Sequence, residues 1–516
     1  MSTADRIALF LSLLSVAAGF LVHDRIFERL AHLEDEMAYV WQAQAIAGGH
    51  VKLHEPPGEK SFLVPFVVDY QGYRFGKYPL GWPALLALGE LLNLRYLVNP
   101  LLGGMGLYLV YLLGKHVFSE TVGVLAAGLT LTSPFFLMNT GSLLSHPMGL
   151  VLSAGFALAW LRAFDGREDI ARSEESPGEK WRWKPALAAG LCLGLLAMTR
   201  PLTAVAVGLP FAIHAVYLFI RRDWSIRRLL LLVGAILLAF GGLHLMWQYY
   251  LTGDPLLNPY TLWWEYDRLG FGPGYGRRPQ GHTLRQAWIN TRHSLRVSHH
   301  DLFGWLGYSW IFLPFGLIAV LKRRNWRGLL LGSVFPSLVL FYFAYWIGSS
   351  LFGPRYFYEG LYSYTLLSAA GIAFLAGWPL VPGKKWPHYT GWKRARPLVL
   401  TGLLTALAAY NLFAYTPLRL EKMKGLYGVS RAHMEPFLTP AAEELAPALV
   451  IVHPQKYWIE YGTLIELGSP YFDTPFIFII TRGPEVDGEV TSRFPERAVY
   501  HYYQDQPYTF YTAPRP

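Results

Sequence analysis

Three consecutive acids, Glu34-Asp35-Glu36, open a run whose Met37, Val40, Trp41, Gln44 and Ala45 recur at helical spacing and which stops at Gly48-Gly49. The pattern predicts a short helix with its acids at the N-terminus, where free amides and the helix dipole stabilise negative charge. Carboxylates held this way stay ionised, and one of them can serve as a base toward an attacking hydroxyl or amine. An acidic helix cap is the plainer use of the same residues. A second cluster, Gly76-Lys77-Tyr78-Pro79-Leu80-Gly81-Trp82, sets a lysine beside a proline-fixed turn and aromatic neighbours. A cation there can pair with a lipid phosphate or snorkel to headgroups.

Further polar residues stand where apolar runs begin or end: His146 before one run, Arg200 between two, and Arg355 in Gly353-Pro354-Arg355-Tyr356 before another. The polar stretch 251–302 carries Tyr260, Trp264 and Glu265. Aromatics with carboxylates suit sugar rings, whose apolar faces stack on Trp and Tyr, so these three join Tyr78 and His146 as candidate substrate contacts. An interfacial aromatic belt is the alternative. The glycine-rich LGFGPGYGRR that follows has the composition of a lid. His299-His300-Asp301, with His282 and His293, raises a metal, yet adjacent histidines on a helix point about 100° apart. The sequence requires no cofactor and leaves a divalent cation open, with Asp35, Glu36 and His299 as the residues to hold it. It contains neither a phosphate-binding Gly-x-x-x-x-Gly-Lys-Ser/Thr nor a Cys-x-x-Cys, and Cys192, the only cysteine, excludes an intrachain disulfide.

The elements that must position these groups follow from composition. The 516 residues are 53% hydrophobic and only 16% charged, against roughly 25% charge in soluble domains; too few polar residues exist to cover a water-facing surface. Apolar segments near 5–22, 97–117, 121–139, 147–164, 185–199, 202–220, 229–250, 303–321, 328–347, 360–380 and 397–416 predict about eleven transmembrane helices. The net charge of +10 sits mainly in short clusters between them: Arg221, Arg222, Arg227 and Arg228; Lys322, Arg323, Arg324 and Arg327; Lys384, Lys385, Lys393, Arg394 and Arg396. With the N-terminus cytoplasmic, every cluster falls inside, as does the mixed-charge loop 162–184, and the long stretches 23–80, 251–302 and 417–516 fall outside. Basic residues so divided do not make a nucleic-acid surface. Residues 8–22, preceded by Arg6, also fit a signal-peptide core; cleavage there would leave the side of the next loop unchanged.

The acidic helix is too short to span and is expected to lie along the outer surface. The tail from 417 reads differently, with strand-like runs at 448–452, 476–480, 498–503 and 508–512 and a partly helical 430–446. The expected organisation is a mainly α polytopic domain, 1–416, and a small extracytoplasmic α+β module, 417–516. An external module without disulfides points to the inner or plasma membrane of a prokaryote.

The acidic pair in the first external loop, the short helix ending in Gly-Gly and the segment GKYPLGWPALLALG together resemble the GT-C superfamily. These integral-membrane glycosyltransferases include protein O-mannosyltransferases and lipid A aminoarabinose transferases. The better-known members have Lys-Pro-Pro where this chain has Lys77-Tyr78-Pro79. The likeness extends more weakly through Thr199-Arg200-Pro201 and Gly353-Pro354-Arg355-Tyr356, over roughly residues 1–380. It implies Asp35 as the catalytic carboxylate with Glu36 beside it, a polyprenyl-phosphate sugar as donor used on the outer face, Lys77 near the donor phosphate, and inversion in one step. A phosphate leaving group needs no strong acid, only cations to neutralise its charge, and Lys77, Arg200 and Arg355 are the candidates. The acceptor class, whether lipid, glycan or protein, is not specified.

Two other functions compete: a transporter or flippase for a lipid-linked saccharide, and a non-catalytic subunit with a GT-C-like fold. Transport favours ionisable groups at the bilayer midplane, whereas these cluster at the outer boundary. The retained Asp35-Glu36 pair argues against the second.

Overall fold

The computed structural model describes residues 1–165, 182–381, 383, 395–456 and 458–515. The basic residues Lys384, Lys385, Lys393 and Arg394, and most of the loop 162–184, lie outside the described residues. The membrane part is built from α1 (Thr3–Arg25), α2 (Glu34–Ala47), α3 (Gly81–Leu91), α4 (Arg95–Val117), α5 (Glu120–Leu131), α6 (Pro134–Thr140), α7 (His146–Phe164) and α8 (Trp183–Thr199). It continues through α9 (Pro201–Arg221), α10 (Trp224–Thr252), α11 (Leu284–Asp301), α12 (Leu313–Lys322), α13 (Trp326–Gly332), α14 (Val334–Tyr342), α15 (Leu361–Ala376) and α16 (Ala395–Tyr410).

Each of the eleven apolar segments contains a helix. Among the described residues six helices are long and apolar enough to cross a membrane, and α5 with α6, bent by 65°, would make a seventh. The others are shorter. The boundaries obey local chemistry. The α5–α6 break falls where Ser133 caps Phe136 N and Pro134 occupies the first turn. Asp223 caps α10, and Gly253 ends it with a φ of 78°. The segment 303–321 departs from expectation, because positive φ at Gly304, Leu306 and Gly307 delays the helix to Leu313. Past α16, a π turn and a further helical turn carry the chain to Glu421, beyond the boundary read at 416.

The short acidic helix is covered on most sides by protein. In α2, Met37 through Ala43 and Ala45 are all buried: Met37, Ala38, Tyr39, Val40 and Ala43 join the main core with Trp82 and Leu86 of α3, and at the far end the Tyr471 hydroxyl of the C-terminal module donates to the Ala45 carbonyl at 2.6 Å. The same module meets the first loop through Arg482 Nε on the Lys60 carbonyl, at 2.9 Å, and α4 through an Arg95–Glu466 ion pair.

The rest of the first loop folds as a three-stranded antiparallel sheet of β1 (Leu53–His54), β2 (Val67–Tyr70) and β3 (Tyr73–Gly76), in the order β1-β3-β2. Gln71 and Gly72 turn the β2–β3 hairpin with φ of 51° and 81°, the left-handed pair that matches strand twist. In the module, β4 (Ala448–Val452), β5 (Phe476–Ile480), β6 (Ala498–Tyr502) and β7 (Phe510–Tyr511) are ordered β5-β4-β6-β7. Strand β4 is parallel to both neighbours, and β7 runs antiparallel to β6. All five residues of β4 and of β5 are buried, as expected of parallel strands covered on both faces.

Candidate active site

A cavity of ≈ 1620 Å³ opens where the first turn of α2, the segment after β3, the α8–α9 junction, the loop after α10 and the stretch 345–356 converge, with Tyr427, His433 and Trp458 of the tail at its edge. Asp35, on the first turn of α2, faces into it with a quarter of its side chain exposed. The Tyr78 hydroxyl donates to Asp35 Oδ1 at 2.6 Å, and Arg355 Nη2 approaches Oδ2 at 3.3 Å. Burial pulls the Asp35 pKa up, but the Arg355 charge, the Tyr78 hydrogen bond and the Lys77 charge outweigh it, so the carboxyl lies below its ordinary value. Arg355 Nη1 is buried and has no hydrogen-bond partner among the described residues, which leaves a guanidinium donor unmatched in a cavity wall.

The hairpin sets Lys77: its amide donates to the Phe66 carbonyl at 2.9 Å, and Gln42 Nε2 holds the Tyr78 carbonyl at 3.0 Å. Lys77 is only 3% exposed. Its Nζ lies 3.2 Å from Asp267 Oδ2 and 3.7 Å, 4.9 Å and 5.1 Å from the ring centres of Phe66, Tyr260 and Trp264. Asp267 Oδ1 accepts from Tyr345 at 3.0 Å and from Trp346 Nε1 at 2.9 Å. Burial lowers the Lys77 pKa against the opposing charges of Asp267 and Asp35. The lysine is thus a matched charge in an aromatic box.

Arg200 joins α8 to α9 and lines the cavity. Its Nε is 3.0 Å from Glu359 Oε1, and its Nη1 and Nη2 donate to Ser145 and Tyr342, each at 3.1 Å. His146 lies behind the wall, 3.1 Å from the same Glu359 oxygen, so it supports Arg200's partner and does not face the cavity.

The candidate residues divide accordingly. Asp35, Tyr78, Lys77, Arg200, Arg355, Tyr260 and Trp264 all line one cavity. Glu36 does not. Its Oε1 accepts from Leu143 N at 2.7 Å, and its Oε2 from His32 N and Leu33 N, each at 2.9 Å. It is the helix cap, with burial raising its pKa to about 7 in spite of those amides. Glu34 lines the cavity in its place. Glu265 is exposed and outside the cavity, and the buried carboxylate of that loop is Asp267. His299 packs its ring on Trp310 with centroids 5.3 Å apart and does not join Asp35 and Glu36. Among the described residues no group of three or more His, Cys, Asp or Glu is placed to hold a metal ion. Sequence reasoning counted Glu34 among three acids without singling it out, and passed over Asp267, Glu359 and the tyrosines 342, 345 and 356 as site residues. Asp267 had one signal, its place at the end of the aromatic run 260–266.

The fold is a polytopic helical bundle with a small added sheet. It is similar to the crystal structure of ArnT from Cupriavidus metallidurans bound to undecaprenyl phosphate, with a TM-score of 0.59 and 14% identity over 95% of this chain and 89% of that one. The apo ArnT structure gives a TM-score of 0.57 at 14% identity, over 96% and 90%. The archaeal oligosaccharyltransferase AglB from Archaeoglobus fulgidus, solved with an inhibitory peptide and a dolichol-phosphate, gives 0.48 at 14% identity, over 90% and 64%. No family model and no curated protein matches the sequence.

Proposed function

We propose that this protein transfers a sugar from a polyprenyl-phosphate donor to an acceptor hydroxyl or amine at the extracytoplasmic face of a prokaryotic inner membrane, with inversion and with Asp35 as the base. One observation carries the reading: a carboxylate held ionised stands beside a buried, unmatched arginine donor in a cavity with an apolar wall. Leu202, Trp247, Leu256, Leu257, Ile347 and Leu351 supply that wall, a surface suited to an isoprenoid chain. The likeness to a protein solved with undecaprenyl phosphate supports the donor class at the level of fold.

The chemistry follows from the contacts. Asp35 accepts two hydrogen bonds, which leaves lone pairs free on both oxygens. The acceptor loses its proton to Asp35 as it attacks the anomeric carbon, and the lipid phosphate departs from the opposite face. Arg355 Nη1 takes the developing phosphate charge, with Arg200 as the second cation. Lys77 is neutralised by Asp267 and contributes through its field rather than as a free donor. Glu34 is the second carboxylate able to orient the acceptor.

The test is Asp35→Asn, which preserves shape and can still accept from Tyr78 but cannot take up a proton. Turnover of lipid-linked sugar in proteoliposomes is expected to drop about 10²–10⁴-fold, while affinity for undecaprenyl phosphate holds or improves because Arg355 is released. Near-normal turnover would remove Asp35 from the mechanism.

A further inference from the structure

Helix α11 presents two unlike faces. Inward, Ala287, Thr291, Ser294 and Ser298 form a narrow buried stripe, and Asn290 Nδ2 donates to the Trp346 carbonyl at 3.0 Å while Ser349 N donates to Ser294 Oγ at 3.2 Å. Its end is pinned by Asp301, which accepts from Tyr415 at 2.6 Å and pairs with Arg419 at 3.1 Å. The strip 346–351 that it backs is part of the cavity wall. Outward, Arg285, Arg292 and Arg296 are exposed beside Leu284, Trp288 and Ile289, whose relative exposures are 66%, 61% and 47%. None of the three arginines forms an ion pair among the described residues. No Asp or Glu occurs between Asp267 and Asp301, so the one carboxylate on the helix is its last residue, Asp301, already paired with Arg419.

We propose that this face is a docking surface for anionic phospholipid headgroups, laid in the membrane interface beside the cavity mouth. Charge complementarity selects the occupant. A face that mixes exposed arginines with tryptophan and leucine suits the boundary between phosphate and acyl chain, and each arginine near an anionic surface is worth about five-fold in binding. The segment that follows exposes Leu306, Tyr308 and Ile311, an aromatic and aliphatic run of the kind found at membrane interfaces. The face gathers the lipid class that a phosphate-bearing substrate must displace on its way to the wall behind it. The proposal rests on the membrane fold and does not depend on the transfer reaction.

The experiment uses full-length protein in nanodiscs. The only cysteine is removed as Cys192→Ala, and His293→Cys, on the exposed face, carries a bimane probe. Brominated phosphatidylglycerol is expected to quench the probe at least about five-fold more effectively than brominated phosphatidylcholine. Raised salt, or R285Q/R292Q/R296Q, should bring the ratio toward one; R292Q alone, with an intermediate ratio, serves if the triple variant unfolds. Equal quenching by both lipids overturns the proposal. So does a preference that survives both salt and substitution, or the absence of quenching by either lipid, which would assign the face to water or to a protein partner.

Discussion

Replacing Tyr78 by Phe removes one hydroxyl and little else. The ring keeps its packing against Tyr39, Tyr260 and Phe66, whose centroids lie 4.5 Å, 5.4 Å and 6.0 Å away. What disappears is the 2.6 Å donation to Asp35 Oδ1. A hydrogen bond to a charged group is worth about 1.5–3 kcal/mol, and at about 1.4 kcal/mol per pKa unit its loss raises Asp35 by roughly one to two units. In the wild type, burial pulls this pKa up and Arg355, Tyr78 and Lys77 pull it down, with the net result below the ordinary value; without Tyr78 burial is opposed only by Arg355 and Lys77. A base must be ionised to act, so the acid limb of kcat/KM moves to higher pH by the same one to two units. Above that limb the rate holds or rises slightly, because the freed carboxylate is the stronger base.

The assay is kcat/KM for a polyprenyl-phosphate sugar in proteoliposomes from about pH 4 to 9. An acid limb that stays in place, in a variant that folds and binds lipid phosphate normally, would show that Asp35 is not the titrating base. A loss of rate uniform across pH would give a different answer: Tyr78 would then touch substrate directly, as its place in the sequence first suggests. A depressed Asp35 stabilises the fold above its unfolded pKa and loses that contribution as pH falls through the folded value, so Tyr78→Phe should be less stable than wild type near neutrality and converge with it in acid.

The buried Lys77–Asp267 pair predicts that Lys77→Met and Asp267→Asn each destabilise by about 3–5 kcal/mol, while the double variant recovers most of the loss; denaturation in detergent checks this, and additive losses would refute the coupling. Glu36, raised to about 7 in the fold, favours the folded state most below its ordinary pKa, and this contribution is lost as pH rises through about 7. The melting temperature of wild type should therefore fall relative to Glu36→Gln between about pH 4.5 and 7, and parallel curves would show that the three amides keep the carboxyl ionised throughout.

The bundle was legible because lipid-facing helices must be apolar for about twenty residues, and that signal survives without any knowledge of contacts. The cavity was half legible. Asp35, Lys77, Arg200 and Arg355 stand out as charges beside turns at segment ends, and the structure brings them together. Which acid of 34–36 faces the cavity was not legible, since consecutive residues on a helix point about 100° apart and the amides of His32, Leu33 and the distant Leu143 together decide that Glu36 turns away. The loop 251–302 has no period with which to orient Glu265 or Asp267. The burial of α2 was only partly legible, because one of its contacts, Tyr471 on the Ala45 carbonyl, lies more than four hundred residues along the chain.

The departure from Lys-Pro-Pro at Tyr78 now has a physical account. A proline at that position could donate nothing to Asp35. Tyrosine supplies the second donor that keeps a largely buried carboxylate ionised, and its ring lies 5.4 Å from Lys77 Nζ, completing the box around a lysine already matched by Asp267. On the proposed reading this divides the work differently from a site with a bare lysine. Residue 78 and Arg355 hold the base in its charged form, Lys77 is paired with Asp267 and Arg200 with Glu359, and the unmatched donor for a departing phosphate is Arg355 Nη1. The order of sensitivity follows: loss of Arg355 should harm donor binding more than loss of Lys77, once the stability cost of breaking the lysine's own pair is removed with Asp267→Asn.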